Sequence, residues 1–326
     1  MKIFKIISFA LVVAAGTVGC KKPDAGYLSK VIVYSPKTLN AARGRVTTSA
    51  ALLVDGSTNP IYVKLLGTRN FYTKQNADSI LLKKYEIAIY KGEINQQDTT
   101  LEQVAAKISK AMYPSFAVNP IGGRLEVTPA TNSIDTGTYE FDIEVSNIAG
   151  KREVLNAGVI RIINPANSYE LISSSVTTSP TTSETTTGQT NFTTTIVRTN
   201  TTENKVIIRY VDKNGTPFNP KAGEVVPRAD RPDFRTYAPF YPEEKTDTAL
   251  VFRYPPNLPT FPLYPQVNVS GGLYSYVFYY RVRAAATDIN LNMNPVITFR
   301  LWPAPGDDAV KGTYVITMRM NFVARK

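Results

Sequence analysis

Histidine is absent from all 326 residues, and cysteine and tryptophan occur once each, at Cys20 and Trp302. Without histidine there is no Ser-His-Asp or Cys-His nucleophile, no histidine general base and no histidine-ligated zinc. A lone cysteine closes no intramolecular disulfide and builds no thiolate cluster. No phosphate-cradling loop or dinucleotide fingerprint occurs, so no cofactor, metal or catalytic residue is expected. After residue 19 no apolar run is long enough to span a bilayer. Arginine-rich blocks and nucleic-acid motifs are missing too, and the formal charge of +11 is scattered along the chain. A nucleic-acid partner is therefore not expected. Such a basic surface is either simply solvated or drawn to anionic lipopolysaccharide and acidic glycans.

What is present begins with an export signal. Lys2 and Lys5 precede the apolar run "IISFALVVAAGTVG", which is too short for a permanent membrane helix and ends in small residues. Cleavage between Gly19 and Cys20 puts the cysteine first in the mature chain and lowers the formal charge to +9. The segment "TVGC" resembles a bacterial lipobox, with Thr17 where that pattern prefers an aliphatic residue. An acylated Cys20 explains an exported chain with one thiol, because several acyl chains anchor stably where one does not. The expected location is the outer membrane, facing either the cell surface or the periplasm. The alternative is an ordinary secretory peptide with a coincidental cysteine.

Beyond a lipid-anchored tether at 20–40, the pattern is β throughout. "IYVKLLGTRNF", "YEIAIYKG", "RLEVTP", "GTYEFDIEVSN" and "AGVIRIIN" are short alternating runs bounded by Gly, Asn, Asp and Pro. One helix is expected in "TTLEQVAAKISKAM", with Leu101, Val104, Ala105 and Ile108 on one face and a Thr99–Glu102 capping box. Tyr139, Phe141, Ile143 and Val145 alternate with acidic residues, and Tyr139 resembles a tyrosine corner. Between 173 and 202 there are 19 Ser or Thr residues, which read either as a stalk or as Thr-rich strands, the latter being preferred. The turn at Asn214-Gly215 and the runs "LYSYVFYYRVRAAA", "PVITFRLWPA" and "GTYVITMRMNFVARK" continue the β pattern. The predicted fold is all-β: two immunoglobulin-like or jelly-roll β-sandwich domains in tandem, at 41–165 and 166–326, with one short helix in the first.

Residues 227–265 hold nine prolines and eight aromatics. Proline excludes this stretch from central strands and stiffens loops. Rings on stiff loops stack on sugars, so Tyr237, Phe240, Tyr241, Tyr254 and Tyr264 are candidate ligand-binding residues, with Arg235, Arg253 and Glu243 to bind hydroxyls or an acidic sugar. The plainer alternative is that the rings fill the core. Trp302 is a further candidate at a strand end before Pro303. Glu243-Glu244 and Asp307-Asp308 are adjacent pairs that a strand points to opposite faces, which does not suit a glycosidase. Asp212, Asn214 and Gly215 lack the downstream glutamate of a calcium loop.

The segment "CKKPDAGYLSKVIVYSPKTLNAARGRVTTSAALLVDGSTNPIYVKLLGTRNF" resembles the start of a family of uncharacterised Bacteroidota outer-membrane lipoproteins, a domain of unknown function. The likeness lies in Cys20-Lys21-Lys22, Tyr27-Leu28-Ser29, Gly44-Arg45, "DGSTNP" at 55–60 and Arg69-Asn70. It implies an accessory role beside Sus-type glycan-uptake systems, with polysaccharide or a TonB-dependent transporter complex as partner, and it brings no catalytic residues. Lys21 and Lys22 stand where surface-exported members often carry acidic residues. The leading expectation is a non-catalytic glycan-binding or transporter-associated lipoprotein. A structural or adhesive envelope protein is the first alternative, and a histidine-independent polysaccharide-active enzyme the second.

Overall fold

The structure is a computed structural model that describes residues 26–326 apart from 93, 95–96, 201, 263–267, 270–271 and 274–276. Cys20, the signal segment and Tyr264 lie outside the described residues. Alternation of apolar and polar residues builds two β-sandwich lobes, as expected. The first contains β1 (Thr38–Ala42), β2 (Thr47–Thr48), β3 (Tyr62–Asn70), β4 (Lys84–Tyr90), β5 (Ile108–Pro114), β6 (Phe116–Val118), β7 (Leu125–Val127), β8 (Gly137–Asn147) and β9 (Gly150–Ile163). One sheet has the order β1-β9-β8-β3 and the facing one β2-β7-β6, while β4 and β5 form a separate hairpin. Tyr139, Phe141, Ile143 and Val145 of β8 enter the core, where the Phe141 ring lies 5.2 Å from Phe116 of the opposite sheet.

The acidic side of β8 is not simply solvated. Arg69 donates to Glu140 at 2.5 Å and to Asp142 at 2.5 Å, and Lys74 reaches Glu140 at 2.9 Å. Burial works against the charged Glu140, but Lys74 and Arg69 together hold its carboxyl below its ordinary value. The Arg69 hydrogen bond does the same for Asp142 against its own burial.

The second lobe contains β10 (Tyr169–Ser179), β11 (Thr187–Gln189), β12 (Phe192–Asn200), β13 (Lys205–Val211), β14 (Val225–Pro227), β15 (Glu243–Lys245), β16 (Leu250–Arg253), β17 (Asn268–Val269), β18 (Gly272–Leu273), β19 (Val277–Val282), β20 (Asn292–Leu301) and β21 (Thr313–Met320). Two five-stranded sheets, β11-β10-β20-β19-β14 and β12-β21-β13-β16-β15, enclose one core. The Ser/Thr-rich segment is thus β10 to β12 rather than a stalk. Each lobe lays one strand parallel to its last: β1 beside β9, and β13 beside β21.

The expected tether is shorter than 20–40, because Ile32 and Tyr34 already belong to the first core. Among the described residues three α-helices form: α1 (Asp78–Leu81), α2 (Leu101–Ala106) and α3 (Phe234–Tyr237). The capping box of α2 is Thr100 with Gln103, one residue later than expected, and Ile108 starts β5. Its apolar face also goes elsewhere. Val104, with Ile94 nearby in sequence, joins the core of the second lobe, and Leu101 and Ile108 pack against it.

Candidate functional site

The proline- and aromatic-rich stretch is a core element. Phe240 and Tyr241 are fully buried and Tyr254 is nearly so. Phe234 stacks on Phe278 at 4.3 Å, Tyr241 meets Phe240 at 4.6 Å and Phe261 at 4.9 Å, and Tyr254 lies 5.3 Å from Phe261. The prolines break the strands into loops, and Phe234, Phe240, Tyr241, Tyr254 and Phe261 turn their rings into the core. Rings already packed on rings present no face to a ligand. Tyr254 also donates to the Gly312 carbonyl at 2.5 Å. There the backbone has φ +107°, and a Cβ would collide with the Asn200 carbonyl.

The polar candidates do not gather either. Arg235 is exposed and pairs with Asp233 at 3.1 Å, at the start of α3, which Tyr237 ends. Arg253 is exposed beside Glu244 at 3.5 Å. Glu243 points to the other face of the sheet, where its buried carboxylate accepts from Tyr280 at 2.5 Å. Burial, reinforced by Glu243, pushes the Tyr280 phenol well above its ordinary value, so the proton stays on tyrosine. Among the described side chains the expected rings and polar groups form no shared site; the side chains of Tyr237 and Tyr264 lie outside the description.

Trp302 is different. It lies in a cleft of about 940 Å³ between the lobes, lined from the first by the outer edges of β1, β2 and β4 and from the second by Arg300, Trp302 and the loop through Asp308. The Arg45 guanidinium lies 3.9 Å from the Trp302 ring centroid and that of Arg300 5.7 Å. Arg45 donates to the Asn167 carbonyl at 2.9 Å, while its buried Nε has no hydrogen-bond partner among the described residues. Burial pulls the Arg45 pKa down, opposed by Glu170.

Asn132 fixes the two walls together. Its amide donates to the carbonyls of Ala304, at 2.9 Å, and of Asp307, while its oxygen accepts from the Gly306 amide at 3.2 Å. Gly44, with φ +77°, lets the chain turn against Asn132, and its amide reaches Thr131 Oγ1 at 2.9 Å. Lys110 joins Glu86 at 2.9 Å to Asp308 at 3.3 Å across the lobes, and Tyr90 donates to the Thr260 carbonyl at 3.1 Å. Glu126 also lines the cleft and makes no ion pair among the described residues.

Among the described residues, Trp302 alone of the expected ligand-binding candidates lines this cleft. Arg45, Asn132, Arg300 and Glu126 were not anticipated as a site. A signal existed for one of them, since Gly44-Arg45 is among the pairs on which the family resemblance rests. Nothing in the sequence marked Asn132.

No protein-family model matches the chain, and a search of curated proteins found no match. Among solved structures the chain is similar to the two tandem V-type regions of VCBP3, a v-region-containing chitin binding protein. Identity is 11%, over 82% of this chain and 98% of that one, with a TM-score of 0.21. At that score the likeness carries no weight for fold or ligand.

Proposed function

We propose that the chain is a non-catalytic cell-envelope lipoprotein, anchored in the outer membrane through Cys20, that binds a glycan in the cleft between its lobes. Its role would be accessory, beside a transporter of the TonB-dependent kind in polysaccharide uptake. One observation carries the ligand class: the cleft combines Trp302 and the partly exposed Tyr113 with Glu126 and the hydroxyls of Thr47 and Thr48. Sugar rings are apolar on their faces and polar at their rims, and such a lining meets both. Four carboxylates and two guanidinium groups line it, so a neutral glycan fits better than an acidic one.

Trp302 supplies the test, being the chain's sole tryptophan. Titration with a panel of polysaccharides should give a saturable change in its emission with a neutral glycan. Glu126→Gln should weaken that binding about tenfold, the loss of one charge-assisted hydrogen bond. A folded chain whose emission ignores the whole panel would overturn the reading.

A second reading is favoured by the lining of β4. Five consecutive residues, Glu86 to Tyr90, face the cleft, whereas a sheet face would expose alternate ones. Among the described residues β4 pairs only with β5, so its other edge is open to strand addition by a protein partner. Amide exchange separates the two readings: an added strand protects alternate amides of Glu86–Tyr90, and a glycan does not.

A further inference from the structure

The outer side of the first lobe, next to where the described chain begins, is apolar where a sandwich is usually polar. In "KVIVY", Ile32 and Tyr34 point into the core, while Val31 and Val33 are 53% and 45% exposed. The same happens in two further segments. Leu52 is buried and Leu53 is 52% exposed; Ile61 and Val63 are buried and Tyr62 is 50% exposed. Ile121 is 66% exposed.

These side chains form one row. Val33 bridges to Leu53, and Ile121 to Tyr62. The hydrogen bonds Ser49 N to Leu125 O and Leu52 N to Gly122 O, each 3.0 Å, set the register that places Leu53 opposite Ile121. Four neighbouring segments therefore carry Val33, Leu53, Ile121 and Tyr62 side by side, a row about 14 Å wide at ordinary strand spacing. Lys30 and Lys64 are exposed at its margin and form no ion pair among the described residues. Apolar side chains flanked by lysine, with a tyrosine among them, match the boundary between lipid headgroups and acyl chains.

The position of Tyr27 says what covers the row. Tyr27 N donates to Thr58 Oγ1 at 2.9 Å, and Asn147 donates to the Tyr27 carbonyl at 2.8 Å. These bonds fix Tyr27 at the β8–β9 turn, four residues before Val31. Cys20 lies six residues before Gly26, and six residues span at most about 20 Å. We infer that the row Val31, Val33, Leu53, Ile121 and Tyr62 rests on the lipid bilayer and holds the first lobe against the membrane. The inference rests on the anchor reading of Cys20, although the row's affinity for lipid can be measured without an acyl chain.

The test uses the mature chain begun at Lys21, which lacks Cys20 and therefore every other thiol. Ile121→Cys is labelled with an environment-sensitive fluorophore, and Val197→Cys, at a position 52% exposed on the second lobe, serves as the control. On adding phosphatidylethanolamine–phosphatidylglycerol vesicles, emission from position 121 should move to shorter wavelength and that from 197 should stay. Val33→Ser with Leu53→Ser should reduce the vesicle affinity more than ~10-fold, with an unchanged melting temperature. A water-like emission at 121 at saturating lipid overturns the proposal. So does a shift that depends on protein concentration without vesicles, which would mean a second copy covers the row. Fatty-acid labelling of the wild-type chain at Cys20 is read separately, so that a failed anchor and a failed lipid contact are distinguished.

Discussion

At the scale of single residues, Arg69 shows how charge is used structurally. It sits between two carboxylates of β8, Glu140 and Asp142, and Glu140 is itself buried. Arg69→Met should cost about 3 kcal/mol at neutral pH, because it leaves a buried carboxylate short of a partner. Both acids are held below their ordinary values in the folded chain. The stability they contribute is therefore complete at neutral pH and lost as pH falls through those lowered values, below about pH 4. Urea melts at neutral and acidic pH check this. The gap between wild type and variant should close in acid, and a constant gap would mean that Arg69 acts by packing alone. Residue identity is also where the sequence misleads most. Phe240, Tyr241 and Tyr254 share their composition with exposed sugar platforms, and only the contacts of Tyr241 with Phe234, Phe240 and Phe261 and of Tyr254 with Phe261 reveal a core. Trp302 and Arg45 are 257 positions apart, and no local pattern could bring them face to face.

At the scale of elements, local periodicity served well and tertiary assignment did not. Strands β3 and β8 follow the alternation of their side chains, and β12 obeys the preference of Thr for extended backbone, whereas β5 forms where a helix was expected to continue. The amphipathic face of α2 was equally legible, but its partner was not: an apolar stripe specifies burial and not against what. Val104 completes the core of the second lobe although it belongs to the first half of the chain. Val104→Ala should thus destabilise by about 2 kcal/mol, the scale of a buried valine side chain. It should also speed amide exchange in β20, around Ile297 and Phe299. If only residues 84–114 exchange faster, the hairpin and helix are an appendage and not part of that core.

At the scale of the whole molecule, the two lobes are joined by more than their connector. Asn132 makes three hydrogen bonds across the junction, Lys110 bridges two carboxylates over it, and Arg198 secures the same loop through Asp307 at 3.0 Å. Asn132→Ala should leave both sandwiches folded and cost about 2 kcal/mol, as expected when buried polar groups lose a partner. Protease cleavage within residues 303–308 should accelerate, and Trp302 emission should move to longer wavelength. Unchanged cleavage would show that the other contacts across the junction hold the lobes without Asn132.

The parallel pairing of β1 with β9 has a mechanical consequence. If the chain is held at its N-terminus and a load acts on the second lobe, then once the contacts of Tyr27 to Tyr34 have yielded, force reaches β1 at Thr38 and leaves β9 at Ile163. These are the opposite ends of a ladder of five residue pairs, Thr38 with Val159 through Ala42 with Ile163. Tension then acts along the strands and shears every rung at once, instead of peeling the rungs one after another. Under such a load the first lobe would carry tension through this ladder, which would resist it as a single shear unit.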